Sequence, residues 1–593
     1  MKNWYRILIL FLVSSSLLTF TAAAQQKNTD TERALVLKLA AYLKDSSYIK
    51  NTIRQIETEK KVEIQITGYQ KLHKQVQRML LLQSELKWLN MEAIRLAYED
   101  MKRIEGFDAV KYLPILTELE QQVKQGFGNI YSGDEAVLAN AEKAVANKRA
   151  ILLANPLLNG DKILTVRYQL GNRDRRAMAP ELGTQSNNWS NQESARRKGF
   201  NADIVELSNL RDEVQIRTIY KPDNTSSIAD LKLHWDGDRA MFTQTMSDNR
   251  WNVFEVKLNN GDCKKLIDNP EPDLEFYDGT YLPDGRIIAN SNIGYQGVPC
   301  VNGSDPVGNM VLYTPQSKNL RRLTFDQDAN WNPVIMNNGR VMYTRWEYTD
   351  LTHYYTRIVM NMNPDGTEQK ALYGSGSMFP NSTFDVQPLP GYASAFVGII
   401  SGHHGVARSG RLILFDPAKA RKGAAGMLQE IPHRNRPIVE EVKDRLVDGV
   451  WPQFIKPSPL NDTYFLVAAK LDKNDLWGIY LVDKFDNVTC LHKMEGEGYI
   501  SPIAVRKTVT PPAIPDRVKL DDKQATVFIQ DIYEGEGLKG IPRGTVKSLR
   551  LHAYEYAYVQ TQSDHNWHGI QSGWDIKRML GTVPVEEDGS GIF

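Results

Sequence analysis

Apolar positions recur along this chain with two different periods, and the change falls near residue 160. Before it, Leu72, Val76, Met79, Leu82, Leu86, Leu89 and Ile94 follow at helical spacing, with neither Gly nor Pro between Gly68 and Gly106. That spacing lays one apolar stripe along a helix, which reads as core rather than as a cofactor box. Leu35 to Leu43 has the same character. A further helix is expected from Ser132, because Ser132 and Glu135 stand three apart as in a capping box. It runs through Leu138, Ala141, Val145 and Ile151 and stops before Pro156, since the residue preceding a proline avoids the helical region. Residues 28–155 therefore read as a helical bundle or hairpin, with His73 a packed or surface residue.

From about residue 160 the text turns to short aromatic and β-branched runs punctuated by turn dipeptides. LKLHWDGDRAMFTQ (Leu231–Gln244) reads as a strand, an Asp236-Gly237 turn and a second strand. The phrase returns in YLPDGRIIANS at Asp284-Gly285 and in VIMNNGRVMYTRW at Asn338-Gly339, and more loosely in QPLPGYASAFVGIIS and KPSPLNDTYFLVAAK. Asp-Gly and Asn-Gly favour tight hairpins in which both central residues take positive φ. An outer hairpin follows each inner one, as in WNVFEVKLNNGDCKKLID and WGIYLVDKFDNVTCLHK. The repeat is roughly 50 residues with four strands, the size of a propeller blade. The expected fold is mainly β: a six-bladed propeller over 160–511, preceded by the helices and followed by a small β-rich segment at 519–593. Ile163–Leu170 is expected beside SPIAVRK, closing the ring. A Pro-rich linker, Thr508–Val518, separates the blades from the last segment.

At the other end, Lys2 and Arg6 precede the apolar run Ile7–Val13, and Ala22-Ala23-Ala24 offers small residues before Gln25. Residues 1–24 form a secretory signal peptide. The expected location is periplasmic or extracellular, with no membrane span after cleavage. Lys+Arg 72 against Asp+Glu 71 leaves a net charge of +1, which gives no footprint for nucleic acid. Only three Cys occur (Cys263, Cys300, Cys490), so no disulfide framework exists.

The blades resemble TolB-type propellers, with NPDGTEQKALY and SKNLRRLTFD matching their outer hairpins. YLPDGRIIANSNIGYQGVPC, LTFDQDANWNPVIMNNGRVMYTRWEYTD, FVGIISGHHGVARSGRLILFDP and RMLGTVPVEEDGS resemble the family named for the hydrazine synthase alpha subunit. That resemblance implies a six-bladed middle domain and, in fuller members, c-type haem after it. Here the chain departs. Covalent haem needs C-x-x-C-H, and no two Cys stand at that spacing. The resemblance therefore implies a member truncated before its haem-bearing region, or a short form, with no covalent haem and no haem-dependent nitrogen chemistry.

Chemistry that remains is sought residue by residue. His403 and His404 sit side by side in a Gly-bounded loop and could meet a metal or ligand, or simply bond backbone carbonyls. Cys300 follows a blade strand, near where the resemblance places a metal-and-haem centre. Arg345, Glu347 and Tyr348 lie in a charged, aromatic loop with Trp346, Asp350 and His353. Candidate ligand-binding residues are thus Arg345, Glu347, Tyr348, His403 and His404; candidate metal ligands are Cys300, His403 and His404, for a transition metal. The HNWH cluster at His565–His568 fits no standard zinc spacing. No G-x-S-x-G, H-E-x-x-H or P-loop occurs, and the G-x-G-x-x-G at Gly535–Gly540 precedes Ile541-Pro542 rather than a helix start. Two readings stay open: a non-catalytic binding propeller for a small molecule, glycan or periplasmic protein, and a metal-dependent enzyme or subunit, such as a lyase-type propeller or a redox partner whose haem another chain supplies. The three loops are expected to converge at one channel opening.

The secreted chain should begin at Gln25. Intact-mass measurement of the exported form checks this, and a mature chain retaining Met1 would contradict it.

Overall fold

Six innermost strands, one per blade, carry the architecture of the computed structural model. It describes residues 27–158, 160, 162–298, 301, 303–347, 355–524, 526–534, 537–555 and 576–593. Residues 1–24, expected to be a signal peptide, together with Cys300, Tyr348, Asp350, His353 and the HNWH cluster, lie outside these residues. The chain forms two units that divide at Pro156.

In the first unit, helical residues 27–40 are followed by helices Ser47–Glu57, Val62–Lys87, Met91–Met101, Ala109–Gln125 and Glu135–Leu152. Leu72, Val76, Met79 and Leu82 form the expected core stripe, packed with Val36, Ile53, Leu138, Ala141 and Val145. Two boundaries differ from the reading by periodicity. The long stripe is broken after Lys87, because the Asn90 side chain accepts from the N–H groups of Glu92 and Ala93 and starts a new helix that carries Ile94. The last helix is capped by Asp134, whose carboxylate accepts from Ala136 N (2.9 Å) and Val137 N (3.4 Å). A charged acceptor at the positive helix end displaces Ser132 from that role.

The second unit holds six four-stranded antiparallel sheets. From the inside outwards, the first blade is Ala229–Leu233, Arg239–Thr245, Trp251–Lys257 and Cys263–Lys265. The next four begin at the inner strands Phe276–Tyr281, Asn330–Ile335, Thr383–Pro388 and Gln453–Pro459. The sixth is composite: Glu497–Ala504 lies innermost, and Lys162–Gln169, Ala202–Ser208 and Gln215–Tyr220 come from the start of the unit. Each inner strand packs on the next, and Glu497–Ala504 returns to the first. The ring is thus closed by the early-with-late pairing that the sequence suggests, with Val166 opposite Ile500 and Arg167 opposite Tyr499.

The hairpin turns differ in kind from the expected two-residue type. Gly285 N donates to Leu282 O, and Leu282 N donates to Arg286 O; Gly339 and Gly366 repeat the arrangement. Only the glycine takes positive φ (86°, 83° and 82° at Gly285, Gly339 and Gly366), while Asp284, Asn338 and Asp365 do not. Each is a turn closed by one left-handed glycine, a bulged geometry that also suits the strand twist.

The linker Thr508–Val518 is fastened to the blades. Thr508 N donates to Trp235 O at 2.8 Å, and Arg286 forks onto Asp516 at 2.9 and 2.8 Å. Asp365 accepts from the N–H groups of Arg517 (2.5 Å) and Val518 (2.9 Å). Beyond it, Ser548–Glu555 pairs with Ile576–Pro584, and Phe528–Ile529 with Gly591–Ile592.

Because the anchors end at Val518, brief trypsin digestion should cut first after Lys519 or Lys523, which are exposed, and spare Arg517. Mass mapping of the first fragments checks this; early cleavage within the blades would contradict the boundary.

Candidate functional site

Strands alternate in direction, so connectors between the second and third strands of every blade share one end of the ring. The loops at 292–308, 347–356 and 401–410 are such connectors. Their described parts meet through side chains: the His403 ring lies 5.9 Å from that of Trp346 and 5.4 Å from that of Tyr355. Arg345 and Glu347 pair with one another, and Arg345 Nη1 lies 3.3 Å from Asp326. Their charges are largely neutralised locally. Where Cys300 and Tyr348 fall relative to this group lies outside the described residues.

His403 is 2% exposed, and its Nδ1 lies 3.0 Å from Arg357 Nη1. A guanidinium can only donate, so Nδ1 accepts and the ring proton sits on Nε2. Desolvation first, then the Arg357 charge, pushes this imidazole down to about 2. His404 is half-exposed and bonds Asp444 Oδ1 through Nδ1 at 2.7 Å. His403, His404 and Asp444 offer ligand atoms within 4.8 Å of one another. With its lone pair turned to Arg357, however, His403 has none for a metal in this arrangement, and a guanidinium beside the site repels a cation.

The same end is closed by a segment that pattern reading missed. Leu170–Asn201, the connector of the composite blade, reaches all five other blades. Lys470 Nζ donates to Arg175 O and Ala177 O, and Trp477 Nε1 to Ala177 O. Asn188 Nδ2 donates to Gly402 O (2.6 Å) and Val406 O (3.0 Å), its Oδ1 accepts from Arg408 N, and its carbonyl accepts from Arg357 Nη2. Asn191 Nδ2 reaches Pro306 O, and Arg197 Nη1 bonds Asn249 O and Glu275. Arg357 lies over Trp346 (4.3 Å) and Arg408 over Phe384 (4.2 Å), so both buried cations rest on aromatic faces. The signal was length: a connector of this size between two blade strands carries structure or function.

The opposite end opens into a cavity of about 290 Å³ lined by all six inner strands. Each inner strand has a bulge with one left-handed residue: Asp230, Asp278, Asn332, Asp385, Lys456 and Ser501, with φ between 50° and 58°. The pairing register slips at that point in every blade. Such a bulge frees a backbone N–H from the ladder. Three blades satisfy it from the neighbour before: Asn332 N donates to Asp278 (2.6 Å), Asp385 N to Asn332 Oδ1 (3.1 Å) and Lys456 N to Asp385 (3.2 Å). Asp278 N turns instead to Thr243 Oγ1 (3.0 Å). Asp230 therefore stands outside this relay. Its Oδ1 accepts from Lys456 Nζ at 3.2 Å, and its Oδ2 is buried without a hydrogen-bond partner. Burial above all, then the Asp278 charge, raises its carboxyl. His234, Trp235 and Tyr281 cluster at the rim, with ring separations of 4.9–6.4 Å.

The family model described as hydrazine synthase alpha subunit middle domain matches residues 544–593, beyond the blades rather than on them. No curated protein matches the sequence. Among solved structures, Kuenenia stuttgartiensis hydrazine synthase is similar with a TM-score of 0.51 at 12% identity, over 73% of this chain and 63% of that one. This chain thus spans less than two thirds of that relative. TolB from Acinetobacter baumannii gives 0.36 at 11% identity, over 61% and 72%. An oligogalacturonate lyase in complex with manganese gives 0.32 at 12% identity, over 56% and 78%. The likeness to hydrazine synthase is one of fold. Of the described thiols, Cys263 lies exposed on the outer strand of the first blade and Cys490 buried in the fifth, so these two do not stand together as a covalent haem needs.

Asn188→Ala should cost about 2–4 kcal/mol, because it strands several buried groups at once. Chemical denaturation with near-ultraviolet detection checks this, and a loss below about 0.5 kcal/mol would contradict the bracing role.

Proposed function

We propose that this protein is an exported, non-catalytic propeller that binds a small ligand or partner at the open end of its channel. The observation that carries the reading is the asymmetry of the two ends. One is stoppered by Leu170–Asn201; the other leads past an aromatic rim to Asp230, whose buried carboxylate has one oxygen without a hydrogen-bond partner. A concave, partly apolar cavity with a few convergent polar groups is the usual form of a small-molecule site. Export rests on the signal segment, and a periplasmic or extracellular ligand follows from it.

A metal-dependent enzyme is the second reading, and the His403–His404–Asp444 grouping favours it. It requires His403 to release Arg357. A separately encoded haem chain as redox partner belongs to the same reading.

Ligand-observed NMR on the mature chain, with neutral, anionic and cationic small molecules as probes, separates the two. Binding of at least one class, lost in Trp235→Ala and retained in His404→Ala, is expected. Stoichiometric transition metal that disappears in His404→Ala would overturn the proposal in favour of the second reading, and so would a mouth that binds no class of probe.

A further inference from the structure

Resting on the channel-mouth reading, we infer that the ligand is neutral and hydroxyl-rich, a single saccharide ring seated against Asp230. The backbone relay through Asp278, Asn332 and Asp385 gives those side chains structural work. Asp230 has none of it. Its residue is 7% exposed, it lines the cavity, and one carboxylate oxygen lacks a donor. A buried acceptor left unmade is costly, so a group that donates to it gains more here than at the surface.

Charge at the floor limits what that group can be. Asp230, Asp278 and Asp385 face Lys456 (3.2 Å to Asp230, 2.9 Å to Asp385), Lys232 (3.2 Å to Asp278) and, from the stoppered end, Arg408. Three carboxylates meet three cations. An ammonium or carboxylate brought into this floor would arrive uncompensated and lose its hydration. A hydroxyl brings no charge, and it can donate to an ionised Asp230 or accept from a protonated one. Asn332 and Ser501, which also line the cavity or stand at its bulges, extend the polar floor.

Other groups facing the mouth agree with this choice. Arg506, the remaining cation there, is committed to Leu460 O (2.7 Å) and Leu157 O (3.4 Å), and burial lowers its guanidinium. His234 is held below its ordinary range by burial and then by Arg239. Tyr281 donates its hydroxyl to Glu255 at 3.1 Å, leaving its ring as an apolar surface. Trp235 beside it supplies a second flat face, and Val334 and Pro388 an aliphatic wall. Apolar faces beside hydroxyl partners match the two-sided surface of a sugar ring. The cavity is near the lower end of the ligand-site range of about 300–1,000 Å³, so one ring enters rather than a chain.

The test is saturation-transfer NMR on the full mature protein with glucose, galactose and N-acetylglucosamine, and with glucuronate, galacturonate and glucosamine as charged counterparts. At least one neutral sugar should bind, at least tenfold more tightly than its charged counterparts. Trp235→Ala and Asp230→Asn should each weaken it about tenfold or more. Asparagine tolerates the left-handed backbone, so the second variant keeps the bulge. Circular dichroism confirms that both remain folded, and a further variant at the rim, Tyr281→Leu, replaces either that does not. Tighter binding of a charged counterpart, or binding untouched by these variants, overturns the inference. A charged probe that does bind at Trp235 sinks the saccharide while leaving the channel-mouth reading intact; silence from every class sinks both.

Discussion

Everything in the larger unit depends on one pairing, that of Lys162–Gln169 with Glu497–Ala504. The partners are more than 300 residues apart, and Thr165 Oγ1 reinforces the seam by donating to Ile500 O at 2.8 Å. Arg167 adds ionic contacts to Asp203 (2.7 Å) on one side and Glu497 (3.4 Å) on the other. Closing so long a loop costs entropy that grows only logarithmically with length, while the closed ring gives the inner strand of every blade a packed neighbour on both sides. The stopper segment leaves from the end of this same strand, so closure also places Leu170–Asn201 across the ring.

The two ends of the channel are built on opposite principles. At the stoppered end, polar groups are buried in quantity, and Asn188 alone ties the third and fourth blades to the crossing segment through four bonds. Satisfied networks of this kind rigidify, since each unpaired member would carry the full cost of desolvation. The open end keeps one acceptor unsatisfied and surrounds it with balanced charge.

Much of the fold was legible because its strongest signals are local. Turn glycines at 237, 285 and 339 and the alternating strands mark five blades, and the leftover strands at Ile163 and Ser501 fall into place as the sixth. The candidate site was only partly legible. His403 and His404 are adjacent and conspicuous, yet what each imidazole does is decided by Arg357 and Asp444, which no spacing connects to them. The channel residues escape for a related reason. Asp230, Lys456 and Ser501 look like ordinary polar positions beside apolar ones, and only left-handed φ values shared by all six strands reveal that they face one another. Turn type was misjudged because Asp-Gly is compatible with both the two-residue and the bulged hairpin, and only the backbone distinguishes them.

The bulge relay divides the ring into unequal halves. Asp278, Asn332 and Asp385 hold the backbone of the blade that follows, so the second, third and fourth blades are committed to acceptor side chains at those positions. Lys456, Ser501 and Asp230, on the contiguous fifth, sixth and first blades, carry no such duty. A change at Ser501 therefore leaves the relay intact, whereas a change at Asp278, Asn332 or Asp385 removes the acceptor on which the next blade's bulge depends.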